Sequence, residues 1–325
     1  MNKGAGVYAS VPNTHFACGI IAGDLLAFRL ASCTREVVRG RGCSMHRRVD
    51  VKLLDDDIFD IELKLLLEGI LLRYQHDFRD YSVASLRRRM RQAMERFGCA
   101  SLSQLQDRIL HEPAMFAQML QFFTVQVSEM FRDPAYFRAL REKVVPVLHT
   151  YPSIKIWVAG CSSGEEVWSL AILLEEEGLL ERSMIYATDI NVEALAAAEA
   201  GIYPVERIAQ FSENYQMAGG KRSLSDYYTA AYKGAIFDRR LRRQFVFADH
   251  SLATDSVFSE VHMVSCRNVM IYFNKDLQDR SLGLFHEALV NRGFLGLGMK
   301  ESLHFSRHAS SFNELSPAER IFQRA

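Results

Sequence analysis

The sequence predicts an α/β fold, a mostly parallel sheet with helices on both faces, together with a small all-helical domain. Strand-like apolar runs alternate with helical patterns from residue 154 onward, and this alternation is typical of parallel sheets. The first apolar run, 154–159, ends in a turn of small residues, 160–164, that opens a helix. Apolar residues recur at helical spacing between 55 and 124, which predicts the helical domain.

The totals describe an ordinary globular chain. It has 325 residues, enough for two domains, with 49% hydrophobic and 24% charged residues. Its formal net charge is zero, so no overall field favours nucleic acid or a membrane surface. No apolar run approaches the roughly 20 residues that span a bilayer, so we expect no membrane insertion. The six cysteines lack metal-binding spacing, which predicts reduced thiols, a cytoplasmic location and no metal site.

Residues 1–54 form an N-terminal extension that fits the rest of the chain poorly. They contain three of the six cysteines and a basic run at 35–48, without a sustained period. Two interpretations stay open. One is an upstream extension with Met45 or a nearby codon as the true start, and the other is a genuine tail that is poorly ordered.

Residues 55–124 predict a helical domain whose second helix is basic. Ser82 is a candidate N-cap for this helix, and Gly98 ends it. The helix carries five arginines, Arg87, Arg88, Arg89, Arg91 and Arg96. Such a cluster is either a solvated face paired with nearby acids or a docking surface for an acidic partner, and periodicity alone does not choose.

Residues 125–150 predict a linker followed by a helix. Asp133 and Pro134 form a strong helix start, which places Arg132 at the mouth of a helix spanning about 134–149. Residues 151–325 then form the main α/β domain. A segment at about 204–244 interrupts it with strand-like pieces around Lys233-Gly234, and we expect a small inserted β-subdomain there.

The turn at 160–164 predicts a nucleoside site at the tips of the strands. Gly160 allows the backbone to approach a ligand closely, and Asp189 ends the second strand, where an acid accepts bonds from a ribose. The phosphate-loop lysine and the Gly-x-Gly-x-x-Gly pattern are both missing. Glu165 and Glu166 would repel a phosphate, so a cationic ligand such as S-adenosylmethionine fits better. The alternative is that these acids only stabilise a helix N-terminus.

Four motifs in order make a family resemblance specific. They read Gly-Cys-Ser-Ser-Gly-Glu-Glu at 160–166, Ala-Thr-Asp-Ile at 187–190, Gly-Ile-Tyr at 201–203 and Cys-Arg-Asn-Val-Met-Ile-Tyr-Phe at 266–273. With Phe-Arg-Asp-Pro at 131–134, the chain resembles the CheR family of chemotaxis receptor glutamate methyltransferases over roughly 57–325. The resemblance implies a class I, Rossmann-like methyltransferase fold that binds S-adenosylmethionine and releases S-adenosylhomocysteine. It also implies methyl esterification of glutamates on the cytoplasmic helices of methyl-accepting chemoreceptors.

The resemblance further implies roles for individual residues. The implied cofactor-binding residues are Gln126, Ser128, Arg132, Gly160, Glu165, Asp189, Asp249, Ser251, Leu252, Arg267 and Asn268. The implied catalytic residues are Arg132, Arg267 and Tyr272. The implied receptor-docking residues are Arg87, Arg88 and Arg91, and the inserted subdomain would contact a receptor tail peptide. We expect a monomer.

Several positions depart from the family pattern. Asparagine is common at Gln126 and threonine at Ser128, while Met130 replaces a common phenylalanine. Val167-Trp168 stands where Pro-Tyr is usual, and Gly298-Met299-Lys300-Glu301 where Gly-His-Ser-Glu is common. The first three changes keep polarity and approximate volume, so we expect cofactor binding to persist. The fourth and fifth change the mouth of the site and its surroundings.

Two other functions remain as alternatives. The first hypothesis is methyl esterification of receptor glutamates. It suits the chemistry because a glutamate carboxylate, with a pKa of about 4.3, attacks a sulfonium methyl without a general base. A non-catalytic signalling scaffold that binds the cofactor is the second. A nucleic-acid methyltransferase is the third, and we disfavour it because residues 265–268 read Ser-Cys-Arg-Asn and not Asp/Asn-Pro-Pro-Tyr.

Overall fold

The computed structural model describes residues 55–124 and 127–325. These residues belong to one compact unit. The expectations for the extension at 1–54 and for Gln126 lie outside the described residues.

Four helices form the N-terminal part of the described chain: α1 (Asp55–Tyr74), α2 (Val83–Phe97), α3 (Leu102–His111) and α4 (Pro113–Phe123). Gly98 ends α2 in the left-handed conformation, as predicted. At the start of α3, the Ser101 hydroxyl accepts a bond from the Gln104 N–H at 3.2 Å, which caps the helix.

The start of α2 is hydrogen-bonded to residues 272–274. The Ser82 side chain makes no cap bond, whereas its N–H donates to the Tyr272 carbonyl at 2.7 Å. Asn274 donates its backbone N–H to the Asp80 carbonyl at 2.8 Å and its side-chain amide to the Asp80 carboxylate at 2.9 Å. We call these three bonds the 80s–270s seam.

A seven-stranded sheet organises the rest of the described chain, in the order β6-β2-β1-β7-β8-β10-β9. Its strands are β1 (Ile154–Ala159), β2 (Ser183–Asp189), β6 (Phe245–Asp249), β7 (Val261–Cys266), β8 (Leu289–Leu297), β9 (Phe312–Ser316) and β10 (Ile321–Arg324). The five strands from β6 to β8 pair in parallel, and β10 and β9 are antiparallel. The predicted mostly parallel sheet is confirmed.

Helices cover both faces of this sheet. The remaining helices are α5 (Pro134–Ala139), α6 (Val145–Leu148), α7 (Glu165–Glu176), α8 (Val192–Ala200), α9 (Ile208–Met217), α10 (Arg239–Arg242) and α11 (Lys275–Ala288). Neighbouring residues of β1 point to opposite faces, so Ile156 joins one apolar core and Trp157 the other. Helices α1–α4 and α11 contribute to the core around Trp157, so the helical part packs against the sheet.

A second, three-stranded antiparallel sheet lies within the main domain, in the order β3-β5-β4. Its strands are β3 (Ile202–Pro204), β4 (Tyr228–Ala231) and β5 (Gly234–Phe237). The hairpin between β4 and β5 turns at Tyr232 and Lys233, close to the predicted turn. The predicted fold class, including the inserted β-subdomain, is confirmed.

The predicted helix over about 134–149 forms as one helical run at 134–148, with an irregular turn in its middle. A π-helical turn, Leu140–Val144, separates α5 from α6. Pro146 has no N–H, and in a regular helix its ring would meet the carbonyl of Glu142, so the wider turn accommodates it. Asp133 has a φ of 56° and makes no side-chain cap bond, which differs from its predicted role as an N-cap.

Among the residues that the structure describes, no helix combines the length and the apolar character needed to cross a membrane.

Candidate active site

A cleft opens where β1, β2 and β7 end. Its walls come from the turn after β1, the ends of β2 and β7, and the segment before α5. It encloses about 900 Å³, counting space open to solvent, which suits a small-molecule site. Ligands of parallel sheets bind at this carboxyl edge, so the fold and the cleft agree.

The turn after β1 forms the floor of the cleft. The N–H groups of Gly160 and Cys161 both donate to the Thr188 carbonyl, at 2.8 and 2.9 Å. Gly160 has a φ of 71°, and a Cβ there would lie 2.5 Å from a methyl of Val269. Glycine is therefore required for the turn to pass beneath the 266–272 loop.

Asp189 lies at the tip of β2 and lines the cleft. Its carboxylate accepts bonds from the backbone N–H of Ser162 at 2.8 Å and of Asn191 at 2.9 Å. Burial raises the pKa of this carboxyl above its ordinary value. The placement suits the predicted bond to a ribose.

The two acids that follow the turn separate. Glu166 lines the cleft, where it accepts bonds from Arg267 at 2.9 Å and from the Ser265 hydroxyl at 2.5 Å. Glu165 is fully buried and does not line the cleft; it accepts bonds from Arg207 and the Ser163 hydroxyl, both at 2.7 Å. Consecutive residues on a helix do not face the same side, so this geometry differs from the predicted cofactor contact of Glu165.

Arg267 is a buried cation at the centre of the site. One terminal nitrogen donates to Glu166, and the other donates to the Asp133 carboxylate and the Arg132 carbonyl, both at 2.8 Å. Its guanidinium carbon also lies 4.0 Å from the ring centroid of Tyr136. Both terminal nitrogens are engaged, so Arg267 fixes the chain at Arg132, and its Nε is buried with no partner among the described residues.

Tyr272 lines the cleft beside an arginine that the sequence analysis did not single out. The guanidinium carbon of Arg89 lies 4.4 Å from the Tyr272 ring centroid, and one nitrogen donates to the Phe123 carbonyl at 2.5 Å. The other two nitrogens, Nε and Nη2, are buried with no partner among the described residues. Desolvation lowers the pKa of Arg89. Arg89 does not itself line the cleft, and its positive charge lies directly behind the cleft residue Tyr272.

A signal for Arg89 was present in the sequence. The apolar residues Leu86, Met90 and Ala93 form the buried stripe of α2, and position 89 belongs to the same face. Four neighbouring arginines make Arg89 look like one more member of an exposed basic cluster, so the sequence pattern alone does not reveal that Arg89 is buried.

Glu301 shapes the loop that carries Arg267 to Tyr272. Its buried carboxylate accepts backbone N–H bonds from Gly298 at 2.6 Å, Asn268 at 3.0 Å and Val269 at 2.9 Å. Burial raises the pKa of Glu301. The segment 298–301 departs from the family pattern at Met299 and Lys300 but keeps this glutamate. The hydrogen bonds that hold the loop are therefore kept.

The other predicted cofactor residues fall into two groups. Those that line the cleft are Ser128, Arg132, Leu252 and Asn268. Asp249, exposed at the end of β6, and Ser251 do not line it. Instead, the cleft wall between them is His250, whose Nε2 lies 3.1 Å from the Ser256 carbonyl. The sequence analysis did not name His250.

The predicted docking arginines differ in whether their side chains are already paired with an acid. Arg87 donates to Asp60 at 2.7 Å, and Arg91 donates to Asp56 at 2.8 Å. Arg88 is exposed and has no hydrogen bond or ion pair within the described part of the chain.

No cluster of three or more His, Cys, Asp or Glu suited to a metal ion occurs within 55–124 and 127–325.

Comparisons with known proteins identify the family. Residues 126–319 match the model of the CheR methyltransferase SAM-binding domain, and residues 61–124 match the CheR all-alpha domain. The chain is 59% identical over 266 residues to Cher3 of Pseudomonas putida, covering 82% of this chain and 97% of that protein. It is 32% identical to chemotaxis protein methyltransferase 1 of Pseudomonas aeruginosa, covering 70% of this chain and 83% of that one. The chain therefore belongs to the CheR methyltransferase family, and it carries the family's S-adenosylmethionine-binding domain.

Proposed function

We propose that this protein transfers a methyl group from S-adenosylmethionine to glutamate carboxylates of methyl-accepting chemoreceptors, forming methyl esters. The observation that carries the acceptor's chemistry is the buried guanidinium of Arg89 with two unengaged nitrogens beside Tyr272. A buried cation with unmet donors is costly until an anion approaches it. A glutamate, with an ordinary pKa of about 4.3, is such an anion at neutral pH.

The cleft also fits the methyl donor. Asp189 presents a carboxylate at the tip of β2, where a ribose is held in folds of this type. Glu166 also lines the wall, where its charge is already paired with Arg267. When bound, S-adenosylmethionine supplies a methyl group on a sulfonium.

The protein's own contribution is positioning and exclusion of water. Arg132 and Tyr272 line the cleft and face the acceptor carboxylate in this proposal, and Arg89, stacked on the Tyr272 ring, adds its positive charge from behind that wall. Arg267 keeps Arg132 in place through the bond to its carbonyl. The acceptor is already ionised, so no residue has to remove a proton; alignment alone can supply roughly 7 kcal/mol or more of the barrier reduction.

The acceptor protein would reach the cleft through α2. Arg88 is free to pair with an acidic cytoplasmic helix of a receptor, and the 80s–270s seam connects α2 directly to Tyr272. The three-stranded sheet adds a second contact in this proposal. Its edge strand β4 is able to pair with an extended receptor tail peptide.

Transfer of labelled methyl to membranes that contain the source organism's chemoreceptors tests this function. We expect base-labile label on the receptors with the wild-type protein, and a strong loss with Arg132→Ala, Tyr272→Phe and Arg89→Met. Calorimetry with S-adenosylhomocysteine serves as the control for cofactor binding. Intact binding without any label would contradict the proposal and leave the signalling scaffold. Label on RNA or DNA, with steeply salt-dependent binding, would favour the nucleic-acid alternative.

A further inference from the structure

A second groove lies next to the turn that carries Tyr272. We call it the mouth groove and define it by Ile271, Lys275, Lys300 and Phe305. Ile271 and Tyr272 are neighbours in the 3-10 turn Met270–Tyr272, so the groove begins where the cleft ends. Lys300 belongs to the segment 298–301, in which the sequence departs from the family pattern.

The mouth groove has free cations, whereas its carboxylates are already engaged. Glu301 accepts its backbone bonds from the 266–272 loop and from Gly298. Asp279 accepts bonds from the Ser306 hydroxyl at 2.6 Å and the Arg307 N–H at 2.9 Å, and it pairs with the Arg307 side chain. Lys275 and Lys300 are exposed, and neither has an ion pair or hydrogen bond with any described residue.

Large apolar side chains are exposed beside these lysines. Phe305 is 93% exposed, and Met299 and Ile271 are 46% and 37% exposed. A single exposed apolar residue needs no explanation, but two that line one groove with free lysines, and a third next to Lys300 in the chain, are typical of an interaction surface.

We propose that the mouth groove binds the residues that flank the acceptor glutamate, and that it selects flanks combining acidic residues with an apolar side chain. The lysines pair with the acids, and Phe305 and Ile271 receive the apolar group. This proposal rests on the proposed function, since it describes how the same site chooses among carboxylates. A protein segment is favoured over a phosphate backbone because no arginine lines the groove for bidentate contacts to phosphates.

A peptide-binding experiment tests the groove without any methyl transfer. The probes are two fluorescein-labelled 12-residue peptides that contain a leucine between glutamates, or between glutamines at the same positions. The protein variants are Lys275→Glu/Lys300→Glu and Phe305→Ser, and Arg243→Glu/Arg292→Glu is the control with the same charge change at exposed positions outside the groove. Fluorescence anisotropy gives the affinities of the full-length proteins.

We expect the wild-type protein to bind the glutamate peptide about five- to tenfold more tightly than the glutamine peptide. The groove double variant should lose this preference, Phe305→Ser should weaken both peptides, and the control should behave as wild type. S-adenosylhomocysteine affinity should stay unchanged in all of them, which shows that the fold is intact. Equal affinity for the two peptides, a preference that survives in the groove double variant, or tighter binding of an oligouridylate would overturn the proposal.

Receptor methylation separates this inference from the proposed function. We expect Lys275→Glu/Lys300→Glu to raise KM for the receptor about five- to tenfold while kcat stays unchanged. Methylated receptors with an unchanged KM would overturn the groove and leave the proposed function standing. Unmethylated receptors, together with a lysine-dependent peptide preference, would overturn the proposed function and leave the groove as an acidic-peptide site.

Discussion

Arg89 of α2 places its guanidinium carbon 4.4 Å from the ring centroid of Tyr272, in the loop that follows β7. One residue comes from the segment that matches the all-alpha domain and the other from the segment that matches the SAM-binding domain. The two segments therefore meet at the cleft, whose wall includes Tyr81 and Phe123 from the helical part as well as Tyr272. In the proposed function, the helical part contributes to the site in addition to its predicted docking role.

The first prediction separates the effect of Arg89 on activity from its effect on stability. Arg89→Met should lower methyl transfer by about 100-fold or more, because the acceptor carboxylate loses its cation. The free energy of unfolding should change by less than about 1 kcal/mol, since methionine removes a buried charge with unmet donors. Methyl-transfer kinetics and thermal unfolding measure the two. A large loss of stability with unchanged activity would show that Arg89 is only structural.

A second prediction concerns pH and Asp189. Ribose hydroxyls donate to the ionised carboxylate, whereas burial raises the pKa of Asp189 in the free protein, with nearby Asp249 adding to the rise. Binding of S-adenosylhomocysteine should therefore weaken as the pH falls through this raised pKa. Calorimetry from pH 7.5 to 5 checks it. Asp189→Asn should bind more weakly at pH 7.5 and lose the contribution of this group to the pH dependence; an identical slope in both proteins would assign the effect to another group.

The same shift has a consequence for stability with the opposite sign. A raised pKa in the folded state means that the folded protein binds this proton more readily than the unfolded chain does. The contribution of Asp189 to the free energy of unfolding is therefore unfavourable above its folded pKa and is relieved as the pH falls through it. We expect the free energy of unfolding of the ligand-free wild-type protein to gain from this group as the pH falls from 7.5 to 5. Asp189→Asn should lack that gain, and it should be less stable than wild type at pH 7.5 because its amide faces a backbone N–H that also donates. Unfolding measurements across this pH range check both.

A third prediction concerns the support of the 266–272 loop. Glu301→Gln replaces one accepting oxygen by an amide that donates, facing backbone N–H groups that also donate. We expect a loss of about 2–3 kcal/mol in the free energy of unfolding, and weaker methyl transfer. Met299→His/Lys300→Ser is the matched control, because it changes exposed neighbours; its stability should stay within about 0.5 kcal/mol of wild type.

A fourth prediction distinguishes the arginines of α2. Arg88→Glu should raise KM for receptor methylation about five- to tenfold, because Arg88 is the exposed member of the predicted docking set that no described acid neutralises. Arg91→Glu should have a smaller effect, since wild-type Arg91 is already paired with Asp56. Initial rates with varied receptor concentration measure both. Equal effects of the two substitutions would mean that the observed ion pairs do not govern docking.

The sequence was sufficient for the parallel sheet, because each strand near the site has a continuous apolar run followed by a turn. For the same reason it predicted that Asp189 lies at the tip of β2 and that the loop with Tyr272 follows β7. It was insufficient for β9, whose residues Phe312–Ser316 alternate with polar neighbours and have no distinctive boundary. Pairing with β10 defines that strand, and pairing between distant segments is not visible in a local pattern.

Within the candidate site, the sequence identified the kinds of side chain better than the directions in which those side chains point. Glu165 and Glu166 look equivalent in the motif, yet the helix turns one towards Arg207 and the other towards the cleft. Asp133 looked like a helix cap, and it became a partner of Arg267, which lies 134 residues further along the chain. These outcomes depend on contacts between segments that are far apart in sequence.

The 80s–270s seam limits how this protein can be recombined with its relatives. Its bonds run from Ser82 to Tyr272 and between Asp80 and Asn274, across the boundary at which the two family models meet. Two of these bonds join backbone groups, which any residues supply, whereas the third needs the Asp80 carboxylate and the Asn274 amide together. A chimera that takes its helical part from another family member should therefore keep an acid at 80 opposite an amide at 274.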